Sequence, residues 1–373
     1  MKYYLIAGEA SGDLHASNLM KALKKQDPKA DFRFWGGDLM QEVGGTLVVH
    51  YKERSFMGFL EVLKNLFKIF GLIKKCKKDI AAYRPDALIF IDNSGFNLRI
   101  AKWAKPKGYA THYYIAPQVW ASRAGRVKII KKTIDHLYVT LPFEPAFYAN
   151  YDYPVHFVGH PLMDAIATHK QINPEAFKKQ HQLDERPIIA LLPGSRKQEI
   201  TKMLEIMLAI SPSFPEYQFI IAGAPSQEVT FYQTFIQDTT AKLVMNQTYD
   251  LLSLANAALV TSGTATLETA IFKVPQVVCY KGSNISYQIA KRIVKLDYIS
   301  LVNLIMDKPL VTELIQDDFN QKQLREALTT ILDDYQRAVL FLDYYDLEKK
   351  LGGKGASQTT ATHIIDSLKS IQS

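Results

Sequence analysis

The stretch that most constrains this chain spans residues 257–282, AALVTSGTATLETAIFKVPQVVCYKG. Its small and β-branched residues predict a strand, and Ser262, Gly263 and Thr264 predict a turn. Pro275 then ends a helix before a second strand. Glycine lets a ligand approach the backbone closely, and free amides at a helix N-terminus attract anions. The segment therefore predicts a βαβ unit whose turn either binds a phosphate or is an ordinary helix cap.

Glu268 falls about one turn into the predicted helix. At that position its carboxylate is placed to accept hydrogen bonds from ribose hydroxyls. With a phosphate at the turn, the predicted ligand is a nucleoside diphosphate. The alternative is a glutamate that only contacts solvent.

A second glycine turn follows a predicted strand at 187–192. There Gly194 and Ser195 lead into a helix, and Arg196 is placed to hold a phosphate. Further along, Asn303 is a polar residue in an apolar run, which predicts a hydrogen-bonding role that is either structural or directed at the ligand.

With 373 residues, the chain is long for one hydrophobic core and is expected to form two domains. Strands alternate with helices in both halves, which predicts an α/β fold. The expected domains cover 1–165 and 187–345, joined by a polar linker at 166–186. A helical tail at 346–373 is expected to pack back on the N-terminal domain.

Composition narrows the class of protein further. The hydrophobic fraction of 47% is that of a globular protein, and the first apolar run is too short for a signal peptide. Cys76 and Cys279 form neither a disulfide framework nor a metal-ligand spacing, which favours the cytoplasm. The formal net charge of +8 favours anionic partners. Nucleic acid ranks last among them, because the basic residues are spread over helices without an interleaved aromatic platform.

One predicted helix has an unusually wide apolar surface. Residues 56–78, FMGFLEVLKNLFKIFGLIKKCKK, carry a single narrow polar stripe and then a cluster of lysines. This pattern predicts a helix in a membrane interface, against anionic headgroups; a core helix with a solvated lysine tail is the alternative. The side chains expected to enter the membrane are Phe56, Phe59, Leu63, Leu66, Phe67 and Phe70.

Two turns in the first half carry acidic residues. Asp92 follows the predicted strand 87–91, at the edge of an open sheet where ligands bind, so it is a candidate general base; its alternative role is a helix cap. The turn at 8–13 holds Glu9, Ser11 and Asp13, which either line a site or cap the following helix. This turn is not the GxGxxG of a dinucleotide fold, so bound NAD is not supported.

Nine segments distributed over most of the chain carry a specific resemblance. In chain order they are GEASGDLH (8–15), MGFLEVL (57–63), IDNSGFN (91–97), APQVWASR (116–123), LPFE (141–144), FVGHPL (157–162), LPGSR (192–196), SGTATLE (262–268) and YISLVNL (298–304). Each is weak alone, whereas the set is highly specific. On the basis of these nine segments, the chain resembles the lipid-A-disaccharide synthase family.

The resemblance implies a GT-B fold, in which two Rossmann-like, doubly wound domains face a cleft. It implies an inverting glycosyltransferase that joins UDP-2,3-diacylglucosamine to 2,3-diacylglucosamine 1-phosphate (lipid X). The products are a β-1,6-linked disaccharide and UDP. No cofactor or metal is implied, and the expected location is the cytoplasmic face of the inner membrane of a Gram-negative bacterium, as a peripheral protein.

The resemblance also implies roles for individual residues. Asp92 takes the proton from the 6-hydroxyl of the acceptor, and Glu9, Ser11 and Asp13 line the acceptor side. The expected UDP-binding residues are Gly194, Ser195, Arg196, Ser262, Gly263, Thr264, Glu268 and Asn303.

This chain departs from the family where it reads Asn93, Ser94 and Gly95, since the family more often shows a proline and a second aspartate there. The departure leaves acyl-chain length and acceptor fit open. Two other functions also stay open: a UDP-GlcNAc 2-epimerase-like or other GT-B enzyme, and a membrane-bound nucleotide-sugar sensor without activity. A homodimer and a monomer are equally compatible with the sequence.

Overall fold

The structure is a computed structural model that describes residues 1–54, 66–122, 124–282 and 297–372. The chain divides into two compact units. Unit 1 contains Met1–Ala167 and Leu351–Ser373, and unit 2 contains Thr168–Lys350. Unit 2 therefore includes nearly all of the segment 166–186 that was expected to be a linker, and it ends at Lys350, shortly after the expected boundary at 345.

Unit 1 is built on a seven-stranded parallel sheet with the strand order β3-β2-β1-β4-β5-β6-β7. Its strands are β1 Lys2–Ala7, β2 Asp31–Gly36, β3 Thr46–His50, β4 Ala87–Ile91, β5 Ala110–Tyr114, β6 His136–Val139 and β7 His156–Phe157. Its α-helices are α1 Ala10–Gln26, α2 Asp38–Val43, α3 Leu66–Tyr83, α4 Ser94–Ala104, α5 Val119–Ser122, α6 Val127–Thr133, α7 Glu144–Ala149 and α8 Pro161–Ala167. The central strands are buried on both faces, as their continuous apolar sequences require.

Unit 2 is built on a six-stranded parallel sheet with the strand order β10-β9-β8-β11-β12-β13. Its strands are β8 Ile188–Leu192, β9 Gln218–Gly223, β10 Lys242–Met245, β11 Ala255–Thr261, β12 Gln276–Tyr280 and β13 Thr312–Ile315. Its α-helices are α9 Pro174–Gln180, α10 Lys197–Ala209, α11 Val229–Ile236, α12 Thr248–Leu254, α13 Thr264–Ile271, α14 Leu301–Met306, α15 Gln321–Leu332 and α16 Asp334–Lys350. The last helix of the chain, α17 Ala356–Gln372, returns to unit 1.

The polar segment at 166–186 is more ordered than a linker. Asn173 caps α9 by accepting a hydrogen bond from the Ala176 amide, and Phe177 is buried in one cluster with Ile188. The segment packs as part of unit 2 because one aromatic side chain is enough to anchor a short helix. Its high polarity made it resemble a linker in the sequence.

The C-terminal tail packs on unit 1, as predicted. Ile364 and Leu368 of α17 lie in the same buried cluster as Leu19 of α1. Both carboxylate oxygens of Asp164 accept backbone hydrogen bonds at the start of α17, from Gly355 at 2.6 Å and from Ser357 at 2.9 Å. Apolar burial and a carboxylate at a helix N-terminus together hold the tail in place.

Candidate active site

Most of the predicted site residues, Asn303 excepted, lie in or shortly after four turns with a common topological position. In each sheet the strand order reverses beside the first strand, so that β1 pairs with β4 and β8 pairs with β11. Parallel α/β sheets bind ligands at this reversal, outside the carboxyl ends of the strands. The turns after β1 and β4 meet at that edge in unit 1, and the turns after β8 and β11 meet there in unit 2.

Asp92 follows β4 directly, in an unusual backbone conformation. Asp92 and Asn93 have φ angles of 46° and 41°, both in the left-handed region that L-residues rarely occupy. The Asp92 carbonyl accepts hydrogen bonds from the Asn97 side-chain amide at 2.8 Å and from the Tyr113 hydroxyl. These bonds hold the strained turn, and strain of this kind is concentrated at functional sites.

The Asp92 side chain is partly buried. Its burial raises the pKa of the carboxyl group above the ordinary aspartate range, and a hydrogen bond from the Asn93 backbone opposes part of that shift. A carboxylate with a raised pKa is a stronger base than one in water. The helix-cap alternative finds no support, since Asn93 is the N-cap of α4 and makes no side-chain cap bond.

The turn after β1 lies against the turn that holds Asp92. A Cβ atom added to Gly8 would lie 2.6 Å from the Asn93 Cβ, so only glycine fits here. Glu9 and Ser11 are exposed, and Glu9 makes no capping bond to α1. Both side chains are therefore available to a ligand at this edge.

Asp13 has a different environment from its neighbours, because it is almost fully buried. One carboxylate oxygen accepts hydrogen bonds from the Gly37 and Met40 amides at 2.7 and 3.2 Å, and the other accepts one from Leu39 at 3.0 Å. Asp13 thus caps α2, a different helix from the one that the sequence suggested. Its predicted contact with an acceptor stays a prediction.

In unit 2, the turn after β8 holds Gly194, Ser195 and Arg196. Gly194 has φ 105°, which favours glycine, and an added Cβ would lie 2.6 Å from the Glu199 Cδ. The Glu199 carboxylate accepts a hydrogen bond from the Ser195 amide at 3.3 Å. Arg196 is the exposed N-cap residue of α10 and makes no capping bond there. Its guanidinium is therefore on the surface, beside the start of a helix.

The turn after β11 is open at the same edge of the sheet. Gly263 and Thr264 are exposed, and no atom of the described residues lies within 4 Å of the position that a Gly263 Cβ would take. Ser262 donates its hydroxyl hydrogen to the Ile299 carbonyl at 2.8 Å. Its backbone amide donates to the Cys279 carbonyl at 3.2 Å. Both hydrogens of Ser262 are therefore used within unit 2, and its contact with UDP stays a prediction.

Glu268 lies one turn into α13, where burial raises the pKa of its carboxyl group. The Tyr249 hydroxyl donates a hydrogen bond to its Oε1 atom at 3.0 Å. The other carboxylate oxygen has no hydrogen bond from the part of the chain that the structure describes. The alternative of a glutamate that only contacts solvent is therefore excluded, since Glu268 is partly buried and one of its carboxylate oxygens is hydrogen-bonded.

Asn303 is buried in α14, and its side chain is satisfied within the protein. Its amide nitrogen donates to the Val311 carbonyl and to Glu313, both at 2.9 Å, while its oxygen accepts from the Val311 amide at 2.9 Å. Glu313 also accepts hydrogen bonds from the backbone amides of Ile299 and Ser300. Of the two roles left open by the sequence, the structural one accounts for these contacts, and a contact with UDP stays a prediction.

Three side chains that contact predicted site residues were not singled out from the sequence: Glu199, Tyr249 and Glu313. Glu199 carried a signal, because a glutamate three residues after an N-cap commonly bonds backward to the turn. Tyr249 and Glu313 carried none, since each contacts a residue that is distant in sequence.

The predicted membrane helix is described only in part. Phe56, Phe59 and Leu63 lie outside the described residues, and Leu66 and Phe67 begin α3, their side chains not being described. The Phe70 side chain is 63% exposed, which is unusual for a phenylalanine. Further along α3, Asp79 accepts two hydrogen bonds from the guanidinium of Arg33 in β2, which attach the helix to the sheet. Among the described helices, none is long and apolar enough to cross a membrane.

Solved structures with the same fold extend this description. A UDP-GlcNAc 2-epimerase from Neisseria meningitidis bound to UDP-GlcNAc aligns with a TM-score of 0.66 at 13% identity, covering 99% of this chain and 100% of that one. The calicheamicin glycosyltransferase CalG4 aligns with a TM-score of 0.60 at 13% identity, covering 99% and 98%. At such identities the likeness concerns the fold alone. Two parallel α/β sheets with these neighbours define the GT-B class of two-domain, Rossmann-like proteins.

A family model described as lipid-A-disaccharide synthetase matches residues 3–363. Lipid-A-disaccharide synthases of Syntrophus aciditrophicus and Trichlorobacter lovleyi are 36% and 34% identical, each over 98% of this chain and 97% of the relative. The synthase of Coxiella burnetii is 36% identical over 89% of both chains. The chain belongs to the lipid-A-disaccharide synthase family and is a glycosyltransferase of lipid A biosynthesis.

Proposed function

We propose that the donor is UDP-2,3-diacylglucosamine and that the acceptor is 2,3-diacylglucosamine 1-phosphate, with Asp92 as the general base. The observation that carries this proposal is the Asp92 carboxyl group, which lies partly buried at the carboxyl end of β4 and has a raised pKa. Asp92 accepts the proton of the acceptor 6-hydroxyl while that oxygen attacks the anomeric carbon of the donor. The bond from that carbon to the UDP oxygen breaks, and UDP leaves with the electron pair.

Unit 2 holds the leaving group in this proposal. UDP gains negative charge as the bond breaks, so amides and cations near the diphosphate stabilise the transition state. Arg196 supplies the cation, and the turns at Gly194 and Gly263 supply backbone amides where α10 and α13 begin. Ser195 and Thr264 flank these turns, and Glu268 accepts hydrogen bonds from the ribose.

Both proposed substrates carry acyl chains, whose removal from a bilayer would cost about 0.8 kcal/mol for each CH₂ group. We propose that α3 and the residues before it keep the enzyme at the cytoplasmic face of the inner membrane, where the chains remain in lipid. The exposed Phe70 ring and the lysines that follow it in α3 support this orientation. Glu9, Ser11 and Asp13 then belong to the acceptor side.

The experiment that tests the base assignment compares Asp92→Asn with Asp86→Asn in the full-length protein. Asp86 precedes the same strand at its opposite end, is exposed, and accepts a hydrogen bond from the Lys2 amide. Acceptor-dependent release of UDP and the mass of the disaccharide are measured with detergent-dispersed substrates. We expect Asp92→Asn to lose at least about 100-fold in kcat with unchanged UDP affinity, and Asp86→Asn to keep its activity.

Retained turnover in Asp92→Asn would remove Asp92 from the mechanism. UDP release by the unmodified protein without acceptor would contradict the transferase substrates and point to hydrolysis or epimerisation of the donor.

A further inference from the structure

The Glu268 carboxylate does not stand alone in unit 2, because Tyr249 binds it from a neighbouring helix. Tyr249 belongs to α12, Glu268 to α13, and the phenol hydroxyl lies 3.0 Å from Oε1. A glutamate side chain has three rotatable bonds, and ordering such a chain costs conformational entropy. A hydrogen bond that orders it before a ligand arrives therefore favours binding.

The Tyr249 ring is itself held by other side chains of unit 2. The His169 ring meets it edge-on at a centroid distance of 5.5 Å, and the Phe272 ring lies at 5.3 Å. The His169 Nε2 atom lies 2.9 Å from Asp250, the residue that follows Tyr249 in α12. Asp250 also accepts a hydrogen bond from the Gln247 amide at 3.0 Å. The phenol thus has a fixed place from which to hold the carboxylate.

We propose that Tyr249 is a positioning residue for the nucleotide: it holds Oε1 of Glu268, so that Oε2 accepts hydrogen bonds from the ribose hydroxyls. This inference rests on the proposed function, which assigns the ribose to Glu268. The inference goes further, because it assigns the selection of ribose over deoxyribose to the pair Glu268 and Tyr249. In this pair only Glu268 contacts the ligand.

Binding of two nucleotides separates this role from a general packing role. Isothermal titration of the full-length protein with UDP and with 2′-deoxy-UDP gives the preference for ribose as a ratio of dissociation constants. A hydrogen bond between a hydroxyl and a carboxylate predicts a preference of about tenfold in the unmodified protein. We expect Tyr249→Phe to reduce that ratio to about twofold, mainly by weakening UDP, since the 2′-deoxy compound already lacks the contact.

The kinetic parameters of Tyr249→Phe test the same positioning role. A ribose contact exists in both the ground state and the transition state, so its loss raises KM for the donor and leaves kcat unchanged. The matched control is Tyr217→Phe, which removes a phenol hydroxyl just before β9, at the opposite edge of the same sheet. We expect this control to keep the full ribose preference.

Three outcomes overturn the inference, and the first two show whether the proposed function fails with it. If Glu268→Gln keeps the ribose preference, the assignment of the ribose in the proposed function fails, and the role of Tyr249 fails with it. If Glu268→Gln loses the preference but Tyr249→Phe keeps it, only the positioning role is refuted. Should Tyr249→Phe not fold, Glu268→Asp withdraws the carboxylate from Tyr249 by one methylene, and a retained preference in that variant refutes the inference as well.

Discussion

Substitution of Gly8 by alanine tests how closely the turn after β1 sets the position of Asp92. The new Cβ would lie 2.6 Å from the Asn93 Cβ and 2.7 Å from its Cγ. Carbon atoms prefer separations of about 3.5 Å, so Asn93 has to move by roughly 1 Å. Because the nearest atoms include the Asn93 Cβ, rotation of the side chain alone does not relieve the contact, and the backbone beside Asp92 has to shift.

A displacement of about 1 Å in a reacting group costs about 100-fold in rate. We therefore expect kcat of Gly8→Ala to fall about 100-fold, or about 2.7 kcal/mol in activation free energy. The assay is acceptor-dependent disaccharide formation at saturating donor. UDP affinity is expected to stay unchanged, because the proposed UDP residues belong to unit 2.

The matched control is Gly12→Ala in α1. A Cβ at Gly12 would meet the Ala7 Cβ at 3.4 Å, which is an ordinary contact, and alanine favours a helix over glycine. We expect full activity from this variant. A Gly8→Ala protein with the kcat of the unmodified enzyme would refute the link between this turn and Asp92, and a loss that reflected only unfolding would appear as a lower melting temperature.

Three further predictions concern separate parts of the molecule. Burial raises the pKa of Asp92, so its active, deprotonated form is lost as the pH falls through that raised value. The acidic limb of the kcat/KM profile should therefore lie at a higher pH than for an ordinary aspartate. A limb at the ordinary aspartate pKa would contradict this. Phe70→Ser should weaken sedimentation of the protein with anionic vesicles. Because the ring is 63% exposed, the free energy of unfolding should change by less than about 0.5 kcal/mol. Unchanged sedimentation would count against α3 as a membrane contact. Asp164→Ala removes both carboxylate hydrogen bonds to the start of α17. The opening free energy that hydrogen exchange gives for the α17 amides should then fall by about 2 kcal/mol. An unchanged opening free energy would refute the capping role.

The position of the candidate site was predictable from the sequence because it depends on local patterns. A short apolar run followed by glycine and hydroxyl residues indicates a strand, a turn and a helix, as at Ser262 and Gly263. Asp92 was found in the same way, as the first polar residue after β4. These features need only a few neighbouring residues, so one sequence suffices to predict them.

Hydrogen-bond partners were not predictable, because they join residues that are far apart in the chain. The sequence left two roles open for Asp13, lining the site or capping its own helix, yet its carboxylate caps α2, because the amides of Gly37 and Leu39 follow the neighbouring strand β2. Asn303 shows the same limit: the sequence predicted a hydrogen-bonding role and left its partner open. A buried polar residue requires a partner, but the sequence does not say which one.

The strand order of each sheet brings motifs that are distant in the sequence to the same edge. The motifs GEASGDLH and IDNSGFN are about 80 residues apart, and LPGSR and SGTATLE are about 70 residues apart, yet the strands before each pair are adjacent in their sheets. Both sheets reverse their order at these strands, so in each unit the turns after the first and fourth strands share one edge. The lack of space beside Gly8 is direct evidence that the two turns in unit 1 touch. Glycine at this position therefore reflects a contact between two motifs, and not only the needs of its own turn.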